Sequence, residues 1–422
     1  MIKVLKKGDY ALDDVLIRDR SGRDVSKVVA DIIFGVKMGG DPTLINYSQT
    51  FDGPIDGALE LTKEEIDAAV AEVPEEVMET LQEAADRIAF YHKAQLREGY
   101  TLEEDGVTLR QKVVPLKRVG IYIPGGTAAY PSTVLMNAVP AKIAGVEEIV
   151  MVSPPTANGT VAPVILAAAQ IAGVDRVFRI GGAQAIAALA YGTKSVPKVD
   201  KIVGPGNAYV AEAKKQVFGQ VGIDLIAGPS EVLVIADKGA DARIVAADML
   251  SQAEHDKMAT AVLITTDQFV AERTAEQLEV QLATLPREEI ARESIEVNGK
   301  IIIVDTIDEA IDLANELAPE HLELFLDDAE AYADKIRNAG SVFVGKNCLE
   351  ALGDYFAGPN HTLPTSGTAR FASPLTVDDF VKTMSLTYYE PAALEYAKDK
   401  VALLARQEGL EGHARSILSR FE

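Results

Sequence analysis

The stretch Val119-Gly-Ile-Tyr-Ile-Pro-Gly-Gly126 decides how the rest of the chain is read. It is a short apolar run that ends at a proline and a pair of glycines. A run that is apolar throughout, instead of alternating with polar residues, suits a strand buried on both faces of a parallel sheet. The same pattern repeats downstream. A helix is expected over 133–144, a strand over 148–152, a helix over 162–172 and a strand over 176–180. Gly181-Gly182 then opens a helix over 183–191, and Lys201-Ile-Val-Gly-Pro-Gly-Asn207 leads into a helix over 208–218. Short strands alternating with helices of this length imply parallel βαβ units with helices on both faces.

A second series follows: strands over 231–236, 260–266, 300–304 and 341–344, and helices over 241–254, 268–285, 307–317 and 327–339. Upstream, residues 1–110 read as mostly helical. An apolar stripe covers 25–40, the capping box Thr62-Lys-Glu-Glu65 opens a helix to about 73, and a polar helix over 75–96 carries His92, read as structural. From about residue 373 the chain reads as helical with no strand pattern. The expected fold class is α/β, with two Rossmann-like parallel-sheet domains, a helical N-terminal segment and a helical C-terminal tail. The expected boundaries are 1–118 (its later part packing with the second α/β domain), 119–230, 231–372 and 373–422.

The 422 residues are 48% hydrophobic, ample for two large cores. Sixty-four acids against 41 bases leave a net charge of −23, which argues against nucleic acid or an anionic membrane as partner. Basic residues cluster only in pairs such as Lys6-Lys7 and Lys214-Lys215. Cys348 stands alone, so an intrachain disulfide and a cysteine-rich metal site are both excluded. No apolar run has the length of a signal core or a membrane span, and a cytoplasmic location is expected.

Histidine is scarce, with five in all, and four of them (His255, His321, His361 and His413) follow position 250. Imidazole is the usual metal ligand and proton carrier near neutral pH, so this distribution points to a site. Gln252 and His255 lie three apart at the end of an expected helix and share a face. With Asp354 and His413 they offer two imidazoles, a carboxylate and an amide oxygen, a set that suits Zn2+, Mn2+ or Co2+ better than Ca2+. Ala318-Pro319-Glu320-His321 places a carboxylate beside an imidazole, presented on a loop by Pro319, so that two different protons can be taken. The glycine loops Gly125-Gly126, Gly181-Gly182 and Gly204-Pro-Gly206 each follow an expected strand, where open α/β sheets bind ligands. None has the Gly-x-Gly-x-x-Gly spacing, so they read equally as ordinary βα turns.

Eight motifs stand in order: Tyr122-Ile-Pro-Gly-Gly126, Gly181-Gly-Ala-Gln184, Gly204-Pro-Gly-Asn207, Ala227-Gly-Pro-Ser230, Ser251-Gln-Ala-Glu-His255, Pro319-Glu-His321, Asp354-Tyr-Phe-Ala-Gly-Pro-Asn-His361 and Glu408-Gly-Leu-Glu-Gly-His413. Together, from about Ala30 to the C-terminus, they resemble the histidinol dehydrogenase family. The resemblance implies oxidation of L-histidinol to L-histidine through L-histidinaldehyde, the last step of histidine biosynthesis, with NAD+ and one Zn2+ per protomer. It implies that Gln252, His255, Asp354 and His413 hold the metal, and that Glu320 and His321 move protons. By the same resemblance Tyr122, Gln184 and Asn207 contact NAD+. Ser230, Gln252, His255, His321, Asp354, His361, Glu408 and His413 contact the substrate. It further implies an intertwined homodimer in which the tail carries Glu408 and His413 into the partner's active site. A related metal-dependent dehydrogenase of another small alcohol is the close alternative, and a metal hydrolase the non-redox one.

Overall fold

A computed structural model of the chain describes residues 2–6, 8–12, 15–16, 24–55, 58–125 and 129–422. Gly126 of the first glycine loop and Lys7 of the first basic pair lie outside the described residues. The chain runs β1 (Lys3–Lys6), α1 (Ser26–Phe51), α2 (Lys63–Val70), α3 (Glu75–Lys93), β2 (Tyr100–Glu104), β3 (Val107–Pro115), β4 (Arg118–Tyr122), α4 (Pro131–Ala144), β5 (Glu148–Ser153), α5 (Pro163–Ile171), β6 (Arg176–Arg179), α6 (Gly182–Tyr191), β7 (Lys201–Val203), α7 (Ala208–Val217) and β8 (Gly222–Ile223). It continues through β9 (Glu231–Ala236), α8 (Ala242–Ala253), β10 (Thr260–Thr265), α9 (Gln268–Leu282), α10 (Glu288–Val297), β11 (Lys300–Ile303), α11 (Ile307–Leu317), β12 (His321–Phe325), α12 (Glu330–Ala333), β13 (Ser341–Val344), α13 (Glu350–Tyr355), β14 (Val381–Tyr389), α14 (Pro391–Gln407) and α15 (Glu411–Leu418).

The α/β class is borne out. Five parallel strands in the order β6-β5-β4-β7-β8 make the first sheet, and six in the order β1-β11-β10-β9-β12-β13 make the second. Every residue of β9 and β10 is buried, which is why their sequences are continuous apolar runs. Helix α6 is buried from Ala183 to Ala190, and its alanines let it lie close to the sheet. A Cβ at Gly120 of β4 would come within 2.9 Å of Leu189 Cδ1.

The N-terminal segment divides in the opposite sense to the expectation. Its later part packs on the first sheet: Val29, Ile32, Ile33, Val36 and Leu44 of α1 share a core with Phe178, Ile186 and Leu189, while α3 lies against α4. The earliest residues join the second sheet instead. β1 adds to its edge, pairing Val4 with Ile301, and Val15 and Leu16 enter its core. Four residues of Lys-Val-Leu-Lys carry too little periodicity to be read as a strand; the open edge of β11 decides their state. The Thr62 capping box forms as expected, with Glu65 N donating to Thr62 Oγ1 and Thr62 N to Glu65 Oε2. The expected helix over 327–339 shrinks to the single turn of α12, and β12 was not anticipated.

The helical tail is present as α14 and α15, but its first part is corrected. β14 is a nine-residue strand where helix was expected, and it pairs antiparallel with β3, which pairs with β2. Its sequence alternates, with Met384, Leu386 and Tyr388 set between Thr383, Ser385 and Thr387. That is the period of a one-faced antiparallel strand, not the continuous apolar run that marks the two parallel sheets. Residues Leu96–Pro115 and Val381–Glu422 form a compact unit of their own, and Met1–Gln95 with Leu116–Phe380 form the other. The small unit has a thin core, in which Ala402, Ala405 and Ala414 pack with Ile417 and Leu418. Among the described residues no helix is long and apolar enough to cross a membrane.

Candidate active site

Three loops of the first sheet meet at the carboxyl edge of its strands: after β4 at Tyr122, after β6 at Gly181-Gly182, and after β7 at Gly204. Tyr122, Gln184 and Asn207 all line a cavity of about 870 Å3 there, a volume suited to a ligand of dinucleotide size. Tyr122 Oη accepts from Gly182 N at 3.1 Å, and burial, with Asp52 nearby, pushes the phenol up to about 12. Asn207 caps α7, its Oδ1 accepting from Tyr209 N at 3.0 Å and Val210 N at 3.1 Å. Gln184 Nε2 donates to Asp52 Oδ2 at 2.9 Å.

The loop that carries Asn207 is braced from inside. Gly204 has φ +110°, and a Cβ there would lie 2.3 Å from the Tyr122 carbonyl oxygen, so no other residue fits. Gly204 N donates to Asp224 Oδ2 at 2.8 Å, and Lys214 Nζ donates to Gly204 O at 2.9 Å. Lys214 and Asp224 pair with each other, both only 2% exposed. Half of a basic pair in the sequence is therefore an interior ion pair.

The second sheet gathers its ionisable groups at the amino edge of its strands. α11 ends at Leu317, and the buried Ala318 turns left-handed (φ 47°, ψ 64°), a sparsely populated conformation for a residue with a Cβ. Pro319 follows, and Glu320 sits in the short connection to β12 as expected, but His321 is in the strand itself. Gly340 N donates to Pro319 O and Ser341 N to Glu320 O, and His321 opens β12. Both side chains are buried. Glu320 Oε2 accepts from Glu231 N at 2.9 Å. His321 Nδ1 lies 3.1 Å from Glu231 O, and its Nε2 lies 3.7 Å from Asp354 Oδ1.

Helix α13 supplies Asp354 and, one turn earlier, Glu350, a residue the sequence reading overlooked although its four-residue spacing puts it on the same face. Ligand atoms of His255, Glu350 and Asp354 lie within 4.8 Å of one another. Gln252 is buried, and in the amide orientation that satisfies both groups it donates to Glu350 Oε1 at 2.7 Å. Ser251 Oγ donates to Glu350 Oε2 at 3.0 Å, and Glu350 N to Glu323 Oε1 at 2.7 Å. His361 Nδ1 lies 3.0 Å from Asp354 O. Ser230 immediately precedes β9, half-buried beside Glu231.

Charge in this cluster is out of balance. Burial pushes Glu320 up to about 8, Glu350 to about 7, Glu323 to about 8 and Asp248 to about 6. Burial also opposes ionisation of Asp354, but His321, His361 and His255 around it hold its carboxyl down. Burial opposes charge on His321, yet Glu320, Asp354 and Glu350 outweigh it and raise the imidazole to about 10. Burial lowers His255 and His361. Nitrogen and oxygen donors converge, and the carboxylates exceed the cations beside them. That donor set fits a divalent transition ion.

The first unit thus brings together Gln252, His255, Glu320, His321, Asp354 and His361. Glu408 and His413 are exposed on the other unit, at the end of α14 and on α15. His92 is structural but buried: its Nδ1 lies 2.8 Å from Ile88 O, and its Nε2 3.4 Å from Asn360 Nδ2.

The family model "Histidinol dehydrogenase" matches residues 17–421. The histidinol dehydrogenase of Syntrophotalea carbinolica is 55% identical over 402 residues, covering 94% of this chain and 93% of its own. That of Bacillus cereus strain ATCC 14579 is 51% identical over 422 residues, covering 100% of this chain and 96% of its own. The crystal structure of histidinol dehydrogenase from Elizabethkingia anophelis superposes with a TM-score of 0.93 at 38% identity, covering 100% of this chain and 98% of that one. The chain belongs to the histidinol dehydrogenase family, and it is an oxidoreductase acting on histidinol in histidine biosynthesis.

Proposed function

We propose that this cytoplasmic enzyme oxidises L-histidinol through L-histidinaldehyde to L-histidine, with NAD+ in the 870 Å3 cavity and one Zn2+ per protomer at the ionisable cluster. The observation that carries the reading is the buried Glu320-His321 pair set against convergent His255, Glu350 and Asp354. When bound, the zinc would orient the substrate's imidazole and amine, and NAD+ would take up a hydride in each oxidation. Gln252, His255 and Asp354 would hold the metal, with His413 as the fourth ligand and Glu350 as a further carboxylate within reach.

His321 takes the hydroxyl proton in the first oxidation. With Nδ1–H donating to Glu231 O, its Nε2 is left as the acceptor; a cation at the adjoining carboxylates removes the charge that otherwise keeps the imidazole protonated. Glu320 takes a proton from water, so that hydroxide adds to the aldehyde. A carboxyl raised to about 8 is a stronger base than an ordinary one, which suits it to that task. His321 acts again on the hydrate. Ser230, His361 and Glu408 hold the substrate, while Tyr122, Gln184 and Asn207 hold the dinucleotide.

The exposed Glu408 and His413, on a unit with a thin core and with Leu386, Tyr388, Leu403 and Leu404 open to solvent, support an intertwined homodimer whose tails complete each other's sites. Inactive His321→Asn and His413→Asn proteins should regain activity when refolded together; no recovery in verified mixed dimers would refute sharing. NADH absorbance on adding L-histidinol and NAD+ to zinc-loaded enzyme tests the reaction itself, and an unchanged signal overturns it.

A further inference from the structure

Among the described residues, one carboxylate lines the first sheet's cavity. Asp52 caps the C-terminus of α1 and reaches the glycines after β6: its Oδ2 accepts from Gly181 N at 3.0 Å and Gln184 Nε2 at 2.9 Å. No Lys, Arg or His stands among the described residues lining this cavity. In a nucleotide-binding βα turn the first amides of the helix are left open to phosphate. Here they are taken by the protein itself. Asp52 holds Gly181 N, the Tyr122 hydroxyl holds Gly182 N, and Asn207 holds the amides of Tyr209 and Val210.

A carboxylate accepts about four hydrogen bonds, and Gly181 and Gln184 use two of them. What it can still take from a ligand is a donor. The vicinal hydroxyls of a ribose are such donors; a phosphate in their place brings like charge against a half-buried carboxylate with no cation to offset it. We infer that Asp52 is the specificity-determining residue that admits a dinucleotide with free adenosine-ribose hydroxyls and rejects its 2′-phosphorylated counterpart. In the usual dinucleotide fold an acid about 20 residues past the glycine loop does this. Here the carboxylate comes from α1, far upstream of the loops it serves. The inference rests on the reading of the cavity as the dinucleotide site.

The test is equilibrium binding to the zinc-loaded protein, read by the fluorescence of NADH and NADPH with no turnover. Wild type should prefer NADH. In Asp52→Asn and Asp52→Ser, NADH affinity should fall about tenfold and the preference over NADPH should shrink by a similar factor. NADH lacking the adenosine 2′-hydroxyl should bind wild type about tenfold more weakly than NADH does, yet match it in Asp52→Asn. An unchanged NADH/NADPH preference in variants that melt like wild type overturns the assignment and leaves the dinucleotide site standing. So does equal binding of the deoxy analogue and NADH by wild type, which needs no variant. If wild type binds neither dinucleotide, the reading of the cavity falls and the assignment falls with it.

Discussion

The two parallel sheets use opposite edges. The first holds its cavity at the carboxyl ends of β4, β6 and β7, where helices begin. The second gathers His321, Glu320 and Glu231 at the amino ends of β12 and β9, where α8 ends just before His255. Helix starts carry partial positive charge and helix ends partial negative charge. The carboxyl edge therefore suits an electron-rich ligand and the amino edge a cation. Among the described residues, the first site has one carboxylate and no cationic side chain, whereas the second is crowded with carboxylates and imidazoles. On the proposed reading, one scaffold would separate the binding of a dinucleotide from metal and proton chemistry.

The largest expected effect falls on the second edge alone. Chelation of the metal-loaded enzyme should abolish turnover while far-ultraviolet circular dichroism and cooperative melting persist; global unfolding would make the metal structural and erase the contrast. Next, Glu320→Gln should slow the aldehyde-to-acid half by about 10²–10⁴-fold, with a much smaller effect on the alcohol half, because only the former needs activated water. Equal losses in separate single-turnover assays of the two halves would remove the distinction between Glu320 and His321.

On the first edge, Lys214→Met strands the buried Asp224 carboxylate and should cost about 3–5 kcal/mol in denaturant unfolding. Replacing both with apolar residues, Lys214→Met with Asp224→Leu, should recover much of that stability but not NADH affinity, since Gly204 loses its brace. If the double variant is as unstable as the single one, a stranded charge is not what destabilises the single variant.

The last effect is one of pH. Glu320, Glu323 and Glu350 have folded values of about 8, 8 and 7 against 4.5 when unfolded, so the folded chain binds more protons than the unfolded chain over that window. The metal-free protein should therefore lose stability as pH rises from about 4.5 to about 8, and metal should flatten the slope. A melting temperature that climbs across this window without metal would show that the cluster is not what the second edge is built around.

Much of this contrast is legible in the residues. Continuous apolar runs such as that of β9 mark buried parallel strands, and the late histidines mark a site. Other parts are not. β14 alternates and pairs with β3, about 270 residues earlier, so its state depends on a partner that no local window contains. Glu350 is hidden by its neighbours, because Gln252 and Ser251 make it a buried carboxylate only once α8 and α13 pack. Asp52 lacks any motif; its role arises from a hydrogen bond spanning 129 positions.

The sequence by itself determined the βα alternation, the turn glycines, the ordered motifs and the shortage of histidine, because backbone geometry and side-chain chemistry are local properties. Only the tertiary structure decided that the ionisable cluster occupies the amino edge of its strands, that Glu320 and His321 lie buried at the head of β12, and that Lys214 and Asp52 act from within. Burial, and the charge balance that follows from it, is set by whatever distant segments pack around a group.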